Sequence, residues 1–446
     1  MTSHSAARPA SPLPEKSTAR PESTGSPESP DSPASPASPA SLESLATGQR
    51  SLGDPAVRFP LWPPLTEGCP VTSTEAVAYP VEVDYAYDGL PEGFFAPATA
   101  AARPRGHERW APLLPPLHAP SLAEGGTPLI PLEDGVWIKD ESRNPTWSHK
   151  DRLNRVTVSA AVGVGAPGVV VASSGNHGAS AAAYAARAGL PCAVLTSPDA
   201  PPAVDAFLRG YGATVLHVPD DDRWPLMRRV VERTGYHPVS NLTPTAHTGH
   251  GFGPEGYKTL AYEIFTELGT VPRAVFVPTG YGELLFGVWK GFAELVRLGC
   301  ARRVPRLYSC EPATGGPLAA ALRSGKPAAR VPVGPTTAYA IDCPVGGVRG
   351  VVALRESGGA ALLVTDEEMA AARDRLARAG VWAELSAAAG FAGFRQLGRE
   401  ARDAEGPVVC VSTSSGFKDR DLLAGDAARD VVDAGDWGAV ARRLGL

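Results

Sequence analysis

Between residues 169 and 277 the hydrophobic positions form short apolar runs that alternate with longer stretches of helical periodicity. Short apolar runs that end at Gly, Pro or Ser are typical of buried parallel strands. The predicted strands cover residues 169–172, 193–196, 214–218 and 274–277. The stretches between them repeat apolar residues with the period of an amphipathic helix. The predicted helices cover residues 179–188, 203–209 and 225–234.

The same alternation continues towards the C-terminus. Helices are predicted over residues 283–298 and 366–379, and strands over residues 306–310 and 408–411. Alternating strands and helices indicate a doubly wound α/β fold, in which helices cover both faces of a parallel sheet. Ligands of such sheets bind beyond the carboxyl ends of the strands, so candidate chemistry is expected in the loops that follow the strands.

Residues 1–55 differ from the rest because they consist mainly of Pro, Ser, Ala and Glu and repeat Ser-Pro-Ala over residues 32–40. A segment with so little apolar surface cannot offset the entropy that it would lose on ordering. We therefore predict a disordered tail over residues 1–55. The whole chain has 446 residues, which leaves enough for two α/β domains.

Charge and cysteine content limit the possible partners and location. The net charge of −5 is small, so neither nucleic acid nor a membrane surface is expected as a partner. No apolar run reaches the ~20 residues of a membrane span, and the N-terminus lacks the pattern of a secretory signal. Six cysteines are scattered singly, which favours the cytoplasm. His247 and His250 have a spacing that could bind a metal on a helix, but their surroundings predict a loop, so no metal is expected.

Lys150 is the residue with the strongest chemical signal. It lies in the run Asn-Pro-Thr-Trp-Ser-His-Lys-Asp-Arg of residues 144–152, just before a helical stretch that begins near Leu153. A partly buried lysine loses its proton readily and can form a Schiff base with an aldehyde. Most lysines are solvated surface groups, so this residue gains its weight from the motifs that follow it.

Two strand–loop–helix turns after Lys150 have the features of anion sites. Residues 173–178 read Ser-Ser-Gly-Asn-His-Gly, and residues 279–284 read Thr-Gly-Tyr-Gly-Glu-Leu. Unpaired backbone N–H groups at such helix N-termini favour a carboxylate or a phosphate. Taken alone, each turn could equally be an ordinary loop with a polar cap. Their order after Lys150 makes a shared site the better interpretation.

In this order, the three motifs resemble the threonine synthase branch of the fold type II pyridoxal-phosphate enzymes. The resemblance also covers residues 254–259 (Pro-Glu-Gly-Tyr-Lys-Thr) and 412–419 (Ser-Thr-Ser-Ser-Gly-Phe-Lys-Asp). It implies two doubly wound α/β domains with pyridoxal 5′-phosphate in the cleft between them. The expected large domain comprises residues 56–150 and 268–446, and the small domain residues 151–267. A homodimer that acts on a small amino acid is expected on the same grounds.

The resemblance also implies roles for individual residues. Lys150 would hold the cofactor and act as the acid–base group, and Asn176 would hydrogen-bond the ring oxygen of the cofactor. Thr413 would contact the pyridine nitrogen, where a neutral hydroxyl favours elimination over transamination. The phosphate-binding loop would be formed by Thr279, Gly280, Tyr281, Gly282, Glu283 and Leu284. The substrate-binding residues would be Ser174, Gly175, His177 and His149.

The chain departs from the family pattern around the substrate. Trp147 and His149 replace a usual Gly and Phe, Gly253 replaces an arginine for the substrate phosphate, and residues 243–253 are inserted. A carboxylate at Glu283, inside the phosphate loop, is unfavourable unless it points away. The implied lyase reaction is α-proton abstraction with β- or γ-elimination or replacement, as in threonine synthase. The rivals are a dehydratase-like ammonia-lyase, a β-replacement enzyme and, from another class, a non-catalytic cofactor-binding homologue.

Overall fold

The computed structural model describes residues 43–96, 106–133, 135–200, 202–243, 247–398, 405–419, 433 and 435–446. Residues 1–42, which make up most of the predicted tail, lie outside the described residues. Among the helices of the described part, none combines the length and the apolar character that a membrane span requires.

The described chain begins with a small antiparallel sheet whose strand order is β2–β1–β3. Its strands are β1 (Ala46–Ser51), β2 (Arg58–Pro60) and β3 (Val81–Tyr85). The buried side chain of Gln49 in β1 donates to the carbonyl oxygens of residues 60, 61 and 63 and accepts from the N–H of Leu65. The prediction of disorder is therefore wrong for residues 46–51. The strand was not predicted because it has no apolar periodicity. Polar contacts and pairing with the distant β3 hold it in place instead.

A four-stranded parallel sheet forms the first α/β layer, with strand order β8–β7–β6–β9. Its strands are β6 (Val169–Ala172), β7 (Cys192–Thr196), β8 (Thr214–His217) and β9 (His237–Pro238). Its helices are α1 (Lys150–Gly163), α2 (Asn176–Arg187), α3 (Pro202–Gly210) and α4 (Arg223–Thr234). The first three strands agree with their predicted ranges to within one residue. The alanines of α2 pack against β6, because small side chains let a helix lie close to a sheet.

A six-stranded sheet forms the second layer, with strand order β12–β11–β10–β13–β5–β4. Its strands are β4 (Leu129–Glu133), β5 (Val136–Asp140), β10 (Ala274–Pro278), β11 (Arg306–Pro312), β12 (Ala360–Val364) and β13 (Val408–Ser412). All neighbours are parallel except β4 and β5. Strand β13 lies between β10 and β5. The loops that follow these three strands therefore start at the same edge of the sheet.

The remaining helices complete the larger layer and its core. They are α5 (Gly253–Tyr257), α6 (Thr259–Leu268), α7 (Glu283–Arg297), α8 (Pro317–Ser324), α9 (Val348–Glu356), α10 (Asp366–Arg378), α11 (Ala389–Gln396) and α12 (Trp437–Leu444). Residues of α6 and α7 share one apolar core with β10 and β13. We therefore propose that the small domain ends before α5, earlier than the expected boundary at residue 267.

A buried ion-pair network holds α1 against α6. Arg152 on α1 donates to Glu141 from Nε (2.6 Å) and Nη2 (2.8 Å), and to Glu263 from Nη1 and Nη2 (both 2.7 Å). Lys139 reaches the same Glu263 carboxylate at 2.9 Å. Burial alone would raise the pKa of Glu263, but Arg152 and Lys139 hold it well below its usual range. Such charges stabilise a fold only when each one is paired, and here every partner is present.

Candidate active site

Lys150 is the first residue of α1, and the loop that precedes it is held by the segment after β13. The N–H of His149 donates to the carbonyl oxygen of Thr413 at 2.9 Å, and Nδ1 of the same histidine lies 3.1 Å from that oxygen. The hydroxyl of Ser414 donates to the carbonyl oxygen of Trp147 at 3.2 Å. The position of Lys150 thus depends on the adjacency of β5 and β13 in the larger sheet.

Trp147 adopts a backbone conformation that usually requires glycine. Its φ is +62°, in the left-handed region, where a bulky residue is strained by about 1 kcal/mol or more. This explains why the family pattern has Gly at the position. The indole packs edge-on against Phe207, with ring centroids 5.4 Å apart, and lies 6.3 Å from the ring of Phe417. These aromatic contacts offset the strain beside Lys150.

Asn176 begins α2, and its amide is oriented by three polar side chains. Its Nδ2 donates to Oε2 of Glu384 at 2.9 Å, and its Oδ1 accepts from Nζ of Lys418 at 2.5 Å and from Oγ of Ser414 at 3.2 Å. Burial lowers the pKa of Lys418 to about 8, although Glu384 and Asp151 oppose the shift. The amide therefore has a fixed direction, with its nitrogen on the side of Glu384.

The 173–178 turn lies next to Lys150, and the two share one hydrogen-bond donor. Nδ2 of Asn154 is 3.2 Å from the carbonyl oxygen of Lys150 and 3.4 Å from that of His177. Burial, and then the proximity of Lys150, lower the pKa of His177 to about 3, so this imidazole is neutral. The oxygen of Ser174 accepts from Nη1 of Arg223 at 2.7 Å. Arg223, which sequence analysis did not assign, therefore lies beside the expected carboxylate site.

The 279–284 loop depends on glycine at two positions. A Cβ on Gly280 would lie 2.7 Å from Sγ of Cys343, and Gly282 has φ +91° and lies against Gly350. Helix α7 starts at Glu283 without a side-chain cap, so its first N–H groups are available to an anion. The side chain of Leu284 belongs to the apolar core. Only its backbone N–H could therefore serve a ligand.

The side chains of Tyr281 and Glu283 contact the inserted stretch 243–253. The Tyr281 ring stacks on His247, with centroids 3.9 Å apart and planes 13° apart. Oε2 of Glu283 lies 3.9 Å from Nε2 of His247, and a Cβ on Gly249 would overlap Oε1 of Glu283. Burial raises the pKa of Glu283, although Arg349 and Lys150 oppose the shift. The carboxyl group is thus directed towards the inserted stretch.

His247 and His250 lie in a loop, as their surroundings predict. Nε2 of His250 is 2.8 Å from Nε2 of His237. Over the described ranges, no group of three or more His, Cys, Asp or Glu side chains is arranged to hold a metal ion.

Burial favours the neutral amine of Lys150 over its charged form. Burial lowers the pKa of Lys150, while Glu283 and Cys343 oppose the shift. Burial and the neighbouring Lys150 also hold the pKa of His149 well below its usual range. The carboxylate of Asp151 accepts from Thr146 and Ser180, and burial raises its pKa to about 6. A neutral amine is the form that attacks an aldehyde.

These contacts link the predicted site residues to one another. Lys150 interacts electrostatically with His177 and Glu283, His149 contacts Thr413, and Asn176 contacts Ser414 next to Thr413. Sequence analysis missed several side chains that lie among them, namely Arg223, His247, Arg349, Glu384 and Lys418. Lys418 belongs to the family motif of residues 412–419, but the pattern did not show that it would meet Asn176 together with Glu384.

Comparison with known proteins identifies the family. Residues 120–414 match the family described as pyridoxal-phosphate dependent enzyme. The chain belongs to this family. It is 34% identical over 332 residues to the threonine synthase of Methanosarcina acetivorans, which covers 70% of this chain and 80% of that protein. It is also 34% identical over 342 residues to the threonine synthase of Mycobacterium tuberculosis, which covers 73% of this chain and 91% of that protein.

Solved structures support the same fold. The processed form of threonine deaminase isoform 2 from Solanum lycopersicum has a TM-score of 0.57 at 20% identity, covering 72% of this chain and 83% of that chain. Maize serine racemase has a TM-score of 0.55 at 20% identity, covering 72% of this chain and 92% of that chain. The predicted family, fold class and cofactor are confirmed: the protein is a pyridoxal 5′-phosphate-dependent enzyme, similar to the threonine synthases.

The residues at the site fit this cofactor chemically. The aldehyde has a partner in the amine of Lys150, whose pKa is lowered by burial, and the phosphate has a glycine-containing turn at the uncapped N-terminus of α7. Nε2 of His177 and Oγ of Ser412 are buried without a hydrogen-bond partner among the described residues. Such unsatisfied groups are uncommon in proteins and are explained when a bound ligand completes them.

Proposed function

We propose that this enzyme removes the α-proton of a small amino acid and catalyses β- or γ-elimination or replacement, with Nζ of Lys150 as the base. The observation that carries the proposal is the lowered pKa of Lys150, which lies beside an uncapped helix N-terminus and the neutral His177. Bound pyridoxal phosphate supplies an electron sink for the negative charge that develops at the α-carbon.

Each motif then has a proposed task. Lys150 holds the cofactor aldehyde, and the N–H groups of residues 279–284 hold the phosphate. Asn176 donates to the ring oxygen, which agrees with the direction of its amide between Glu384 and Lys418. The buried Thr413 is the neutral partner of the pyridine nitrogen, and such a partner favours elimination over transamination.

The substrate carboxylate is proposed to bind at the start of α2, through Ser174, Gly175 and His177, with His149 on the opposite side of Lys150. A carboxylate suits this position because backbone N–H groups at a helix N-terminus attract anions. Arg223 strengthens the site, since its guanidinium contacts Ser174 at 2.7 Å.

Conversion of O-phosphohomoserine to threonine is a second candidate, favoured by the 34% identity to proteins named threonine synthase. Gly253 weakens this candidate. The space beside Gly253 is filled by Leu153 and Thr157 of α1, 3.2 Å from where a Cβ would lie. A Cβ at this position would be tight against α1, and glycine supplies no charge to a substrate phosphate. We therefore favour an amino acid with a smaller leaving group.

We also propose a cytoplasmic homodimer. The described cysteines are all free thiols, which suits a reducing compartment. The neighbouring Trp147 and Phe417 leave aromatic surface exposed, 42% and 64% respectively, as is typical of surfaces that bind a partner. Analytical ultracentrifugation of the purified protein tests the dimer directly.

The proposed function is tested by spectroscopy on the purified protein. We expect a yellow protein whose visible absorbance changes on adding L-serine or L-threonine, with formation of a 2-oxo acid and ammonia. Borohydride should attach the cofactor to Lys150, as identified by peptide mass spectrometry. A reconstituted protein that binds cofactor but produces no change with any amino acid would instead indicate a non-catalytic homologue.

A further inference from the structure

Four buried polar atoms around Lys150 have no hydrogen-bond partner among the described residues. They are Oη of Tyr257, Nε2 of His177, Nδ1 of His247 and Oε1 of Glu283. Lys150 interacts electrostatically with His177, His247 and Glu283, and its Nζ lies 5.9 Å from the centroid of the Tyr257 ring. Their concentration around one lysine indicates that ligand atoms complete them.

Glu283 and the inserted stretch are fitted to each other. Gly249 has φ +61°, and a Cβ there would overlap Oε1 of Glu283 and lie 3.3 Å from Cε1 of His247. The imidazole of His247 is in turn held flat against Tyr281. The insertion and the carboxyl group in the phosphate loop, which are separate departures in the sequence, are therefore one structural feature.

Arg349 opposes the rise in the pKa of Glu283, but two of its donors are already used by backbone carbonyl groups. Nη1 of the buried Arg349 donates to the carbonyl oxygen of Thr248, and its Nη2 donates to that of Val81. Arg223, at the other side of the site, is paired with Asp220 at 3.1 Å as well as with Ser174. A dianionic group beside Glu283 would thus face a buried carboxyl group, and of the Arg349 donors only Nε has no hydrogen-bond partner among the described residues.

We propose that Glu283, His247 and Gly249 form the subsite for the leaving group of the substrate, and that this subsite selects a hydroxyl over a phosphate. A hydroxyl can donate to Oε1 of Glu283 and accept from a ring nitrogen of His247, which satisfies both groups. A phosphate offers oxygen acceptors and negative charge, so it meets repulsion instead. The inference rests on the proposed function, because it assigns selectivity within the same site.

The test compares substrates that differ only by a phosphate, namely L-serine with O-phospho-L-serine and L-homoserine with O-phospho-L-homoserine. For the wild-type holoenzyme, the ratio of kcat/KM for the hydroxyl form to the phosphorylated form should exceed about tenfold. The Glu283→Gln substitution removes the negative charge at constant size. It should lower that ratio by about tenfold or more, mainly by improving the phosphorylated substrate.

Gly249→Ala displaces the Glu283 carboxyl group by steric overlap and should lower the same ratio. Gly299→Ala is its matched control, because Gly299 has φ +71° but no atom within 4 Å of the added Cβ. It reproduces the backbone strain at the far end of α7 and should leave the ratio unchanged. Cofactor content, measured by absorbance, is recorded for every variant.

The outcomes separate this inference from the proposed function. A wild-type enzyme that prefers the phosphorylated substrates would overturn the inference while supporting the proposed function. Loss of cofactor from Glu283→Gln with an unchanged ratio would overturn it too, because Glu283 would then belong to the cofactor phosphate site. A wild-type protein that binds cofactor but turns over none of these four amino acids, nor L-threonine, contradicts both.

Discussion

Helix α1 carries two basic side chains within its first turn, and their surroundings differ. Arg152 makes paired hydrogen bonds with Glu141 and Glu263. Lys150 instead faces His177 and Glu283, each of which has a polar atom without a partner. The two residues share one helix, so the difference arises from what the rest of the fold places around each of them.

The comparison shows how structural and functional charges can be told apart. A buried charge that stabilises a fold is fully paired, because an unsatisfied buried group costs about 1–3 kcal/mol. A site that binds a ligand keeps unsatisfied groups and recovers their cost when the ligand arrives. The groups around Lys150 are unsatisfied, as in a ligand-binding site, whereas Arg152 is fully paired, as in a structural ion pair.

The largest effect is expected from Lys150→Ala. Removing the amine that is proposed to hold the cofactor and take the α-proton should lower kcat by about 10³-fold or more. The variant should also lose the visible absorbance that borohydride abolishes. Its midpoint of urea unfolding, measured without cofactor, should stay close to that of the wild-type apoprotein, because none of the ion pairs among the described residues involves Lys150. Retained turnover would remove Lys150 from the mechanism.

Arg152→Met should have the opposite effect: it should lower the free energy of unfolding rather than act on the catalytic rate. It leaves the buried Glu141 without an ionic partner and Glu263 with Lys139 alone, and breaking such a pair costs about 3–5 kcal/mol. Arg143→Met is the control, since Arg143 pairs with Asp140 at 3.0 Å but is 64% exposed. The free energy of unfolding of Arg143→Met should fall by less than about 1 kcal/mol. Equal urea midpoints for the two variants would contradict the distinction.

Lys418→Met should reduce kcat by about 10- to 100-fold while the cofactor stays bound. The substitution removes the donor that orients Asn176, which is proposed to contact the cofactor ring. Because the pKa of Lys418 is about 8, its ammonium is lost as pH rises through 8, and the wild-type kcat should fall there. The Met variant should lack this step in the pH profile.

A double-mutant cycle with Asn176→Ala tests whether Lys418 acts through the amide. The two losses should be non-additive, since the side chains share one hydrogen bond. Lys326→Met, at an exposed position, is the matched control. Additive losses would show that Lys418 acts independently of Asn176.

The smallest effect is expected from deletions at the N-terminus, measured as a change in stability. Deleting residues 1–42 should leave the melting temperature unchanged, because their composition predicts no buried apolar surface. Deleting residues 1–54 also removes β1 and the buried Gln49, and should cost about 1–2 kcal/mol. Two indistinguishable melting curves would show that β1 contributes nothing to stability.

The regular elements were predictable where their signal is local. The apolar runs that became β6, β7 and β10 were recognisable because buried parallel strands are continuously hydrophobic. Strand β1 was not recognised, because its residues are mostly polar and the hydrogen bonds of Gln49 hold it in place. The two-residue β9 is too short to carry a periodic pattern.

The sequence alone determined the family, the order of the motifs and the lysine proposed to carry the chemistry, because these depend on residue types at short spacings. Only the tertiary structure decided how the motifs complete one another. Gly249 makes room for the Glu283 carboxyl group, and Lys418 orients Asn176. Both pairs join residues from separate elements, and the direction of a side chain is set by the packing of those elements, which no local pattern specifies.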